Sequence, residues 1–449
     1  MNVYFLGIGG IGMSALARYF KVQGHRVGGY DRTRTSLTEK MEEEEGIEIN
    51  YLDEEERIGE EYRCPENTLV VYTPAIPNDC RQLIYFRSNG FTIRKRAEVL
   101  GMISREGKAI CIAGTHGKTT VSTLTAFLLH RSAVGCNAFL GGISANFDSN
   151  LLLNPNSPYV VIEADEFDRS FLQLSPTFAL ITSMDADHLD IYQSRENMLE
   201  AFDAFAKQVV KGGTLFLKEG LCLSGVEISG YYGVETQVDC YADHLQIKEG
   251  KYLFDYHGKY GDIEQLECGI PGRLNVENAT AAITLALEVG VSPEEIRVAL
   301  PEFRGIARRF NVHVQNKERV YIDDYAHHPK EIEATLGSIR EMWPDRLLTV
   351  VFQPHLYSRT RDFYLEFAQS LSLADQVILL DIYPARELPI PGVTSELILQ
   401  HLKVPGVILS KEAFLAYVKN EFQKGILVTM GAGDIDRLVH QVKNGINKN

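Results

Sequence analysis

Short apolar runs alternate with helical stretches along the 449-residue chain, beginning with its first residues. Near the N-terminus, the runs at residues 3–6, 26–30 and 68–72 have the length and composition of buried strands. Strands that alternate with helices are typical of βαβ units and parallel sheets. The pattern begins again at residues 109 and 320, so the sequence predicts an α/β protein with three segments of mostly parallel sheet.

The chain length agrees with three segments, since domains commonly contain about 150 residues. We predict domains at residues 1–106, 107–304 and 305–449. Both boundaries fall in polar stretches that contain glycine, near residues 104–107 and 303–307. Residues 215–271, at the end of the second segment, have the pattern of successive hairpins.

Composition excludes several classes of protein. The apolar content of 45% is enough for a core in each domain, and no apolar run approaches the ~20 residues of a membrane span. The N-terminus enters a strand without a basic leader, so we predict a cytoplasmic protein without membrane insertion. A net charge of −15 argues against nucleic acid as a partner. The seven scattered cysteines predict buried thiols rather than disulfides or a zinc site.

The most informative motif follows the strand at residues 109–113, where Gly-Thr-His-Gly-Lys-Thr-Thr occupies residues 114–120. Gly114 and Gly117 can turn backbone amides toward phosphate oxygens, Lys118 adds a positive charge, and Thr119 offers a hydroxyl to Mg²⁺. A helix over residues 121–129 would add its positive end. Ile112 stands where the usual P-loop has glycine, so this is a shortened variant. The alternative is an ordinary strand–turn–helix connection.

A second glycine motif, Gly7-x-Gly9-x-x-Gly12, follows the first strand and opens a helix, and Asp31 ends the second strand. This spacing is typical of dinucleotide binding, so a nicotinamide-dependent dehydrogenase is one interpretation. The motif itself indicates only a pyrophosphate at a helix N-terminus, which a UDP-sugar also carries. A tight structural turn is the third possibility.

Two acidic clusters, at residues 161–168 and 183–190, each follow a strand of the second segment. Ligands bind at the carboxyl ends of strands in open α/β sheets. We therefore predict that Glu163 and His188 bind metal ions that bridge phosphates. The other acids are more simply solvated loop residues, and this expectation applies to Glu166, Asp168, Asp185 and Asp190.

Four further polar clusters lie in the last segment and its approach, at residues 275–278, 308–310, 323–329 and 353–359. A single histidine or arginine in such a place is more often structural, but four clusters together favour a site. Their arginines could hold a carboxylate in a bidentate pair or stabilise a transferring phosphoryl group.

The motifs Gly-Thr-His-Gly-Lys-Thr-Thr, Asp-Asp-Tyr-Ala-His-His-Pro and Gln-Pro-His-Leu-Tyr-Ser-Arg-Thr together make the chain resemble the Mur ligases, ATP-dependent enzymes that build the peptide of peptidoglycan precursors. The resemblance implies a Rossmann-like N-terminal domain for the UDP-sugar, a central P-loop ATPase-like domain and a Rossmann-like C-terminal domain that admits the amino acid. Within the family, the sequence is most similar to enzymes that join L-alanine to the lactyl carboxylate of UDP-N-acetylmuramate through an acyl phosphate, releasing ADP and phosphate.

The alternative within the family is a ligase that attaches a preformed tripeptide during wall recycling, although a different arginine motif is usual there. Leu356 departs from the arginine that the family often has at this position. The substrates implied are UDP-N-acetylmuramate and L-alanine, the cofactors are ATP and Mg²⁺, and we expect a monomer or homodimer. A dehydrogenase becomes the least favoured interpretation.

The resemblance also implies roles residue by residue. ATP would be contacted by Gly114, Thr115, His116, Gly117, Lys118, Thr119, Thr120, Asn278, Arg309 and Asp324. Metal would be bound by Thr119, Glu163 and His188. The substrates would be contacted by Gly7, Gly9, Gly10, Gly12, Asp31, Tyr325, His327, His355 and Arg359. The residues expected to act in catalysis are Lys118, Glu163, His188, His327 and Arg359.

Overall fold

The computed structural model describes residues 1–185, 192, 194–248, 250–385 and 387–447. The chain forms two compact units, each of which is described by itself. The first unit comprises Met1–Asp243, Asp255–Leu266 and Asn278–Phe303. The second comprises His244–Phe254, Glu267–Glu277 and Arg304–Asn449.

The first unit begins with a five-stranded parallel sheet in the order β3-β2-β1-β4-β5. Its strands are β1 (Asn2–Leu6), β2 (Arg26–Tyr30), β3 (Glu48–Asn50), β4 (Thr68–Tyr72) and β5 (Thr92–Lys95). Its helices are α1 (Ile11–Val22), α2 (Ser36–Glu43), α3 (Arg81–Ser88) and α4 (Arg96–Glu106). Because β1 lies between β2 and β4, the turn that follows it opens at the middle of the sheet's carboxyl edge.

A ten-stranded sheet follows, in the order β15-β14-β13-β12-β11-β10-β6-β9-β7-β8. Its strands are β6 (Lys108–Ala113), β7 (Asn137–Ser144), β8 (Ser149–Leu152), β9 (Tyr159–Glu163), β10 (Phe178–Ile181), β11 (Thr214–Lys218), β12 (Gly230–Val234), β13 (Cys240–Lys248), β14 (Lys251–His257) and β15 (Ile263–Glu267). Its helices are α5 (Lys118–His130), α6 (Arg195–Ala206), α7 (Arg273–Glu288) and α8 (Pro293–Ala299). The central strand β6 pairs in parallel with β9 and β10, which brings the loops after all three to one edge.

Three hydrogen bonds, one of them fully buried, join helix α1 to strand β8. Asn150 donates from Nδ2 to the Ile11 carbonyl at 2.6 Å and to Ser14 Oγ at 3.0 Å. Arg18 donates from Nη1 to Ser149 Oγ at 3.0 Å. The first helix of the N-terminal sheet is thereby connected to the edge of the ten-stranded sheet.

The second unit contains a six-stranded sheet in the order β16-β17-β21-β18-β19-β20, with β16 antiparallel and the other neighbours parallel. Its strands are β16 (Asn311–Gln315), β17 (Arg319–Asp324), β18 (Leu348–Phe352), β19 (Gln376–Leu379), β20 (Gly406–Ile408) and β21 (Gly425–Met430). Its helices are α9 (Pro329–Met342), α10 (Tyr357–Leu371), α11 (Glu396–Leu399), α12 (Lys411–Asn420) and α13 (Val439–Asn447). The buried faces of β17, β18 and β21 form the centre of its core.

The predicted α/β class with three mostly parallel sheets is confirmed. Five of the seven cysteines are buried, as predicted, while Cys64 and Cys222 are exposed, and all seven are free thiols. Within the described ranges, every helix is too short or too polar to cross a bilayer. The domain boundaries at residues 106 and 304 remain predictions.

Candidate active site

The loop between β6 and α5 has the backbone shape of a phosphate-binding turn. Gly117 has φ +82°, a conformation that strains residues with a Cβ, and α5 begins directly afterwards at Lys118. The first amides of a helix have no acceptor within it. Lys118, Thr119 and Thr120 therefore form a positive helix end suited to an anion. The helix starts three residues before the predicted residue 121.

Two residues that follow β10 fix the shape of this loop. Ser183 accepts hydrogen bonds from the Thr115 amide through its carbonyl (3.2 Å) and from the His116 amide through Oγ (2.8 Å). Thr182 Oγ1 donates to the Ala113 carbonyl at 3.2 Å. The two loop amides are thus already occupied, so the site for an anion lies toward α5.

Asn278, predicted to contact ATP, does lie beside this loop. It is buried, and its Oδ1 lies 3.0 Å from the position that a Cβ on Gly117 would take. Sequence analysis found this residue through the family motif. The structure adds its proximity to the loop, which no spacing in the sequence indicates.

The Lys118 ammonium lies 2.7 Å from Glu166 Oε2, and Lys118 also donates to the Gly114 carbonyl. The Glu166 side chain is only 1% exposed. The prediction of a solvated loop acid is therefore wrong for Glu166, because its side chain turns inward to the lysine. Burial lowers the pKa of Lys118, but the nearby carboxylates of Glu166, Asp165 and Glu163 more than offset this and raise it overall.

Glu163 and Thr119, two of the predicted metal ligands, are in direct contact. Thr119 Oγ1 donates to Glu163 Oε1 at 3.1 Å, and the Gly141 amide donates to Glu163 Oε2 at 3.1 Å. A carboxylate and a hydroxyl are the hard oxygen donors that Mg²⁺ prefers, so the pair fits this metal. His188, the third predicted ligand, and Asp190 lie outside the described residues.

The remaining acids of these loops face solvent more. Asp168 is 37% exposed and pairs with Lys95 at 3.3 Å, which agrees with the expectation for a loop acid. Asp185 lies 3.8 Å from His116 Nε2, and its backbone amide donates to Thr115 Oγ1 at 3.1 Å. Asp185 therefore also braces the phosphate loop.

The glycine turn after β1 is held closed by backbone hydrogen bonds. The amides of Gly7 and Ile8 donate to the Tyr30 carbonyl at 2.7 and 3.1 Å. The Gly9 amide donates to Asp31 Oδ2 at 2.8 Å, while Asp31 Oδ1 accepts from the Thr33 amide at 2.9 Å. Asp31 therefore braces the turn, and its contact with substrate remains a prediction. Gly10 is the N-cap residue of α1.

Arg96, which sequence analysis did not single out, lies against this turn. Its Nη1 is 2.3 Å from the position that a Cβ on Gly12 would take. The guanidinium therefore fits at this place only because glycine has no side chain. Arg96 Nη2 also pairs with Asp165 Oδ2 at 3.3 Å. The sequence signal was a run of three basic residues, Arg94–Arg96, at the start of a helix, and such a run does not reveal the partner of Arg96.

A cavity of about 200 Å³ is bounded by residues at the start of α1 and by Glu163, a predicted metal ligand. It is lined by Ile11, Gly12, Ala15, Arg96, Leu100, Phe139, Leu140, Gly141, Glu163 and Asp165. The lining thus includes the start of α1 and the Arg96 guanidinium as well as the carboxylates of Glu163 and Asp165. The start of α1 and Arg96 suit an anion, whereas an acidic group beside the Glu163 carboxylate would need a cation between the two.

The second unit holds the other predicted residues, several of which cluster around Tyr325. The guanidinium groups of Arg308 and Arg309 each lie 4.9 Å from the centre of the Tyr325 ring. Glu331 lies 3.8 Å from Arg309 Nη1 and accepts from the His327 amide at 3.0 Å. Cation–π contacts and this carboxylate thus orient two of the predicted site residues, Arg309 and His327.

His327 also brings His355 and Arg359 into the same group. The His327 and His355 rings are 6.2 Å apart, and His355 Nδ1 is 3.4 Å from Arg359 Nη1. Arg359 is buried at the start of α10. Leu356, the N-cap residue of α10, has φ +73°. The chain therefore turns sharply three residues before Arg359.

Asp324 lies at the end of β17 and is buried. Burial raises its pKa, opposed by a hydrogen bond from Thr335 and by the charge of Arg309. The neighbouring Asp323 accepts from Thr429 Oγ1 at 3.0 Å. The structure thus brings Arg309, Asp324, Tyr325, His327, His355 and Arg359 together in the second unit.

Comparison with known proteins identifies the family of this chain. Residues 2–108 match the Mur ligase family catalytic domain, residues 112–286 the Mur ligase middle domain, and residues 308–433 the Mur ligase glutamate ligase domain. A protein of Phocaeicola vulgatus named UDP-N-acetylmuramate–L-alanine ligase is 51% identical over an alignment of 454 residues, covering 100% of this chain and 98% of that protein. The chain belongs to the Mur ligase family.

Solved structures place this Mur ligase next to two others. The UDP-N-acetylmuramate–alanine ligase MurC of Thermotoga maritima superposes with a TM-score of 0.81 at 26% identity, covering 100% of this chain and 99% of that chain. A murein peptide ligase of Psychrobacter arcticus has a TM-score of 0.70 at 23% identity, with 99% of both chains covered, and shares the fold. The three-domain Mur ligase architecture predicted from sequence is therefore confirmed.

Proposed function

We propose that this Mur ligase joins L-alanine to the lactyl carboxylate of UDP-N-acetylmuramate, with ATP converted to ADP and phosphate. The observation that carries the proposal is the cavity of about 200 Å³ lined by both Gly12 and Glu163. A UDP-sugar with its diphosphate on the turn would direct its sugar into that cavity. Its carboxylate would then approach the end of the cavity beside the phosphate loop.

The diphosphate would bind at the start of α1, through Gly7, Gly9, Gly10 and Gly12. Arg96 supports this proposal because its guanidinium lies over Gly12 and adds a full positive charge to the partial charge of the helix end. A charged donor beside a phosphate forms one of the stronger hydrogen bonds in proteins. Arg96 would therefore change partner from Asp165 to the substrate.

ATP would bind at the start of α5, with Lys118 on the β- and γ-phosphates and Asn278 beside the loop. Thr119 and Glu163 would hold Mg²⁺, whose charge offsets the repulsion between the carboxylate and the triphosphate. The residues of the chain orient the reactants: Thr119 and Gly141 fix the Glu163 carboxylate, and Ser183 fixes the loop. His188 remains a predicted ligand from sequence.

The reaction would proceed in two steps. An oxygen of the lactyl carboxylate forms a bond to the γ-phosphorus while the bond to the bridging oxygen breaks and ADP leaves. The alanine amine then attacks the acyl carbon, phosphate leaves with the bonding electrons, and the amine gives up a proton. Lys118 would neutralise charge that develops on the phosphoryl oxygens in the first step.

In the second unit, we propose that Arg359 binds the alanine carboxylate and that Tyr325, His327 and His355 surround the new amide. Contacts support this grouping, since Arg359 and His327 both adjoin His355. Arg309 and Asp324 would contact the nucleotide. The cytoplasm is the proposed location, since ATP and nucleotide sugars are found there.

The test is ADP release in the presence of Mg²⁺, ATP, UDP-N-acetylmuramate and one amino acid at a time. We expect ADP release only when both the sugar nucleotide and L-alanine are present, with an amide product of matching mass. Release that requires a tripeptide instead of L-alanine would assign the chain to wall recycling. Release without any need for the sugar nucleotide would refute both.

A further inference from the structure

Glu166 differs from every other acid described in its loop because it is buried against the phosphate-loop lysine. Its side chain is 1% exposed and that of Lys118 is 12% exposed, with 2.7 Å between Oε2 and Nζ. The backbone around Glu166 is held as well, since the hydroxyl of the buried Tyr192 donates to the Glu166 carbonyl at 2.6 Å. The backbone that carries the Glu166 carboxylate is therefore held in one position.

The neighbouring acids have other partners. Glu163 accepts from Thr119 and Gly141, Asp165 pairs with Arg96, and Asp168 pairs with the exposed Lys95. Among the described contacts, Glu163 thus accepts a hydrogen bond from Thr119, Asp165 pairs with Arg96, and Glu166 pairs with Lys118. Only the last of these pairs is nearly closed to solvent.

Burying an ion pair is a costly way to stabilise a fold, since a pair of apolar side chains of similar volume often does as well or better. A pair at this place is better explained by what it does to the lysine. A free lysine side chain has many rotamers, and a group must be ordered to stabilise a transition state efficiently. Glu166 and the Gly114 carbonyl together order the ammonium before any nucleotide arrives.

We propose that Glu166 is a positioning residue that holds the Lys118 ammonium in place for phosphoryl transfer. The inference rests on the proposed contact of Lys118 with the phosphates of ATP. It predicts a particular kinetic pattern. Glu166→Gln keeps the size of the side chain and the positive charge of Lys118, so binding of ATP in the ground state should change little. Stabilisation of the transition state should fall, because it depends on where the ammonium lies.

The experiment measures kcat and KM for ATP in the parent, Glu166→Gln, Lys118→Met and the double variant, with melting temperatures to confirm folding. We expect Glu166→Gln to lower kcat at least tenfold while KM for ATP changes less than threefold. In the Lys118→Met background, Glu166→Gln should change kcat less than twofold, because its effect passes through the lysine. Asp168→Asn, an acid-to-amide change in the same loop, should stay within twofold of the parent.

Two results would overturn the proposal: a smaller fall in kcat for Glu166→Gln, or additive effects in the double variant. A purely structural role would lower the melting temperature without this kinetic pattern. If Glu166→Gln folds poorly, the double variant still lacks both charges and is compared with Lys118→Met alone. Failure of the proposed function is recognised separately, as absence of alanine-dependent ADP release in the parent. In that case the four proteins are compared by their rates of ADP release without an amino acid, and additive effects of the two substitutions on that rate overturn the positioning role.

Discussion

Gly12→Ala is the most direct test of the proposed sugar-nucleotide site. The added Cβ would lie 2.3 Å from Arg96 Nη1, so the guanidinium must retreat by roughly 1 Å or more to reach an ordinary contact of ~3.5 Å. Because the displaced atoms belong to the end of a flexible side chain, the fold should tolerate the change. The cost should appear in substrate binding, where Arg96 would no longer lie over the turn.

The expected changes in stability and in KM for Gly12→Ala can be estimated separately. Alanine is favoured over glycine within a helix by roughly 1 kcal/mol. The Arg96–Asp165 pair, exposed by 23% and 36%, contributes about 0–1 kcal/mol, so the two effects on stability nearly cancel. Loss of a charged hydrogen bond to the diphosphate costs about 1.5–3 kcal/mol. That corresponds to a rise in KM for the sugar nucleotide of roughly 10- to 150-fold.

The assay compares KM for UDP-N-acetylmuramate and for ATP from initial rates of ADP release, with thermal unfolding of the same samples. KM for ATP should stay within about threefold. Gly337→Ala is the matched control, because it adds a methyl group within α9 where no atom lies within 4 Å. It should leave both KM values unchanged. An unchanged KM for the sugar nucleotide in a folded Gly12→Ala protein would refute the role of Arg96.

Three further changes test other parts of the site. Arg359→Ala should raise KM for L-alanine tenfold or more with KM for ATP unaltered, and an equal rise in both would move the carboxylate contact elsewhere. Thr119→Val should raise the Mg²⁺ concentration for half-maximal rate about tenfold, whereas Thr119→Ser, which keeps the hydroxyl, should not. Burial raises the pKa of Asp323 from 3.8 to about 6, so the folded state binds this proton more tightly than the unfolded state. The free energy of unfolding should therefore fall by about 2–3 kcal/mol as pH rises from about 4 to above 6. The free energy of unfolding of Asp323→Asn, measured with urea, should lack that fall. An identical pH dependence in the parent and in Asp323→Asn would contradict the assignment of the fall to Asp323.

The strands that sequence analysis predicted best are those buried at the centres of the sheets. The runs at residues 26–30 and 68–72 coincide with β2 and β4. The hairpin of β7 and β8 was not predicted. Gly141 and Gly142 interrupt its apolar pattern, and pairing with β9 and between the two strands determines its structure instead.

In the site, too, features set by neighbouring residues in the sequence could be predicted, whereas contacts between residues far apart in the chain could not. The phosphate loop and the glycine turn are continuous motifs, and the conformation of each follows from its own residues. The pairs Lys118–Glu166 and Arg96–Asp165 join residues far apart in the chain. No periodicity or spacing in one sequence reveals which loop acid turns inward, because that depends on packing around Tyr192 and α4.

The hydrogen bonds from Asn150 to Ile11 and Ser14 bear on how this enzyme can be divided for experiments. A fragment that ends near residue 106 would lose Asn150 and expose the surface of α1 around Ser14, which is buried in the intact chain. Its glycine turn would then rest on a helix without its natural support. Weak sugar-nucleotide binding by such a fragment would be an effect of the truncation, so ligand screening needs a fragment that includes β8 and Asn150.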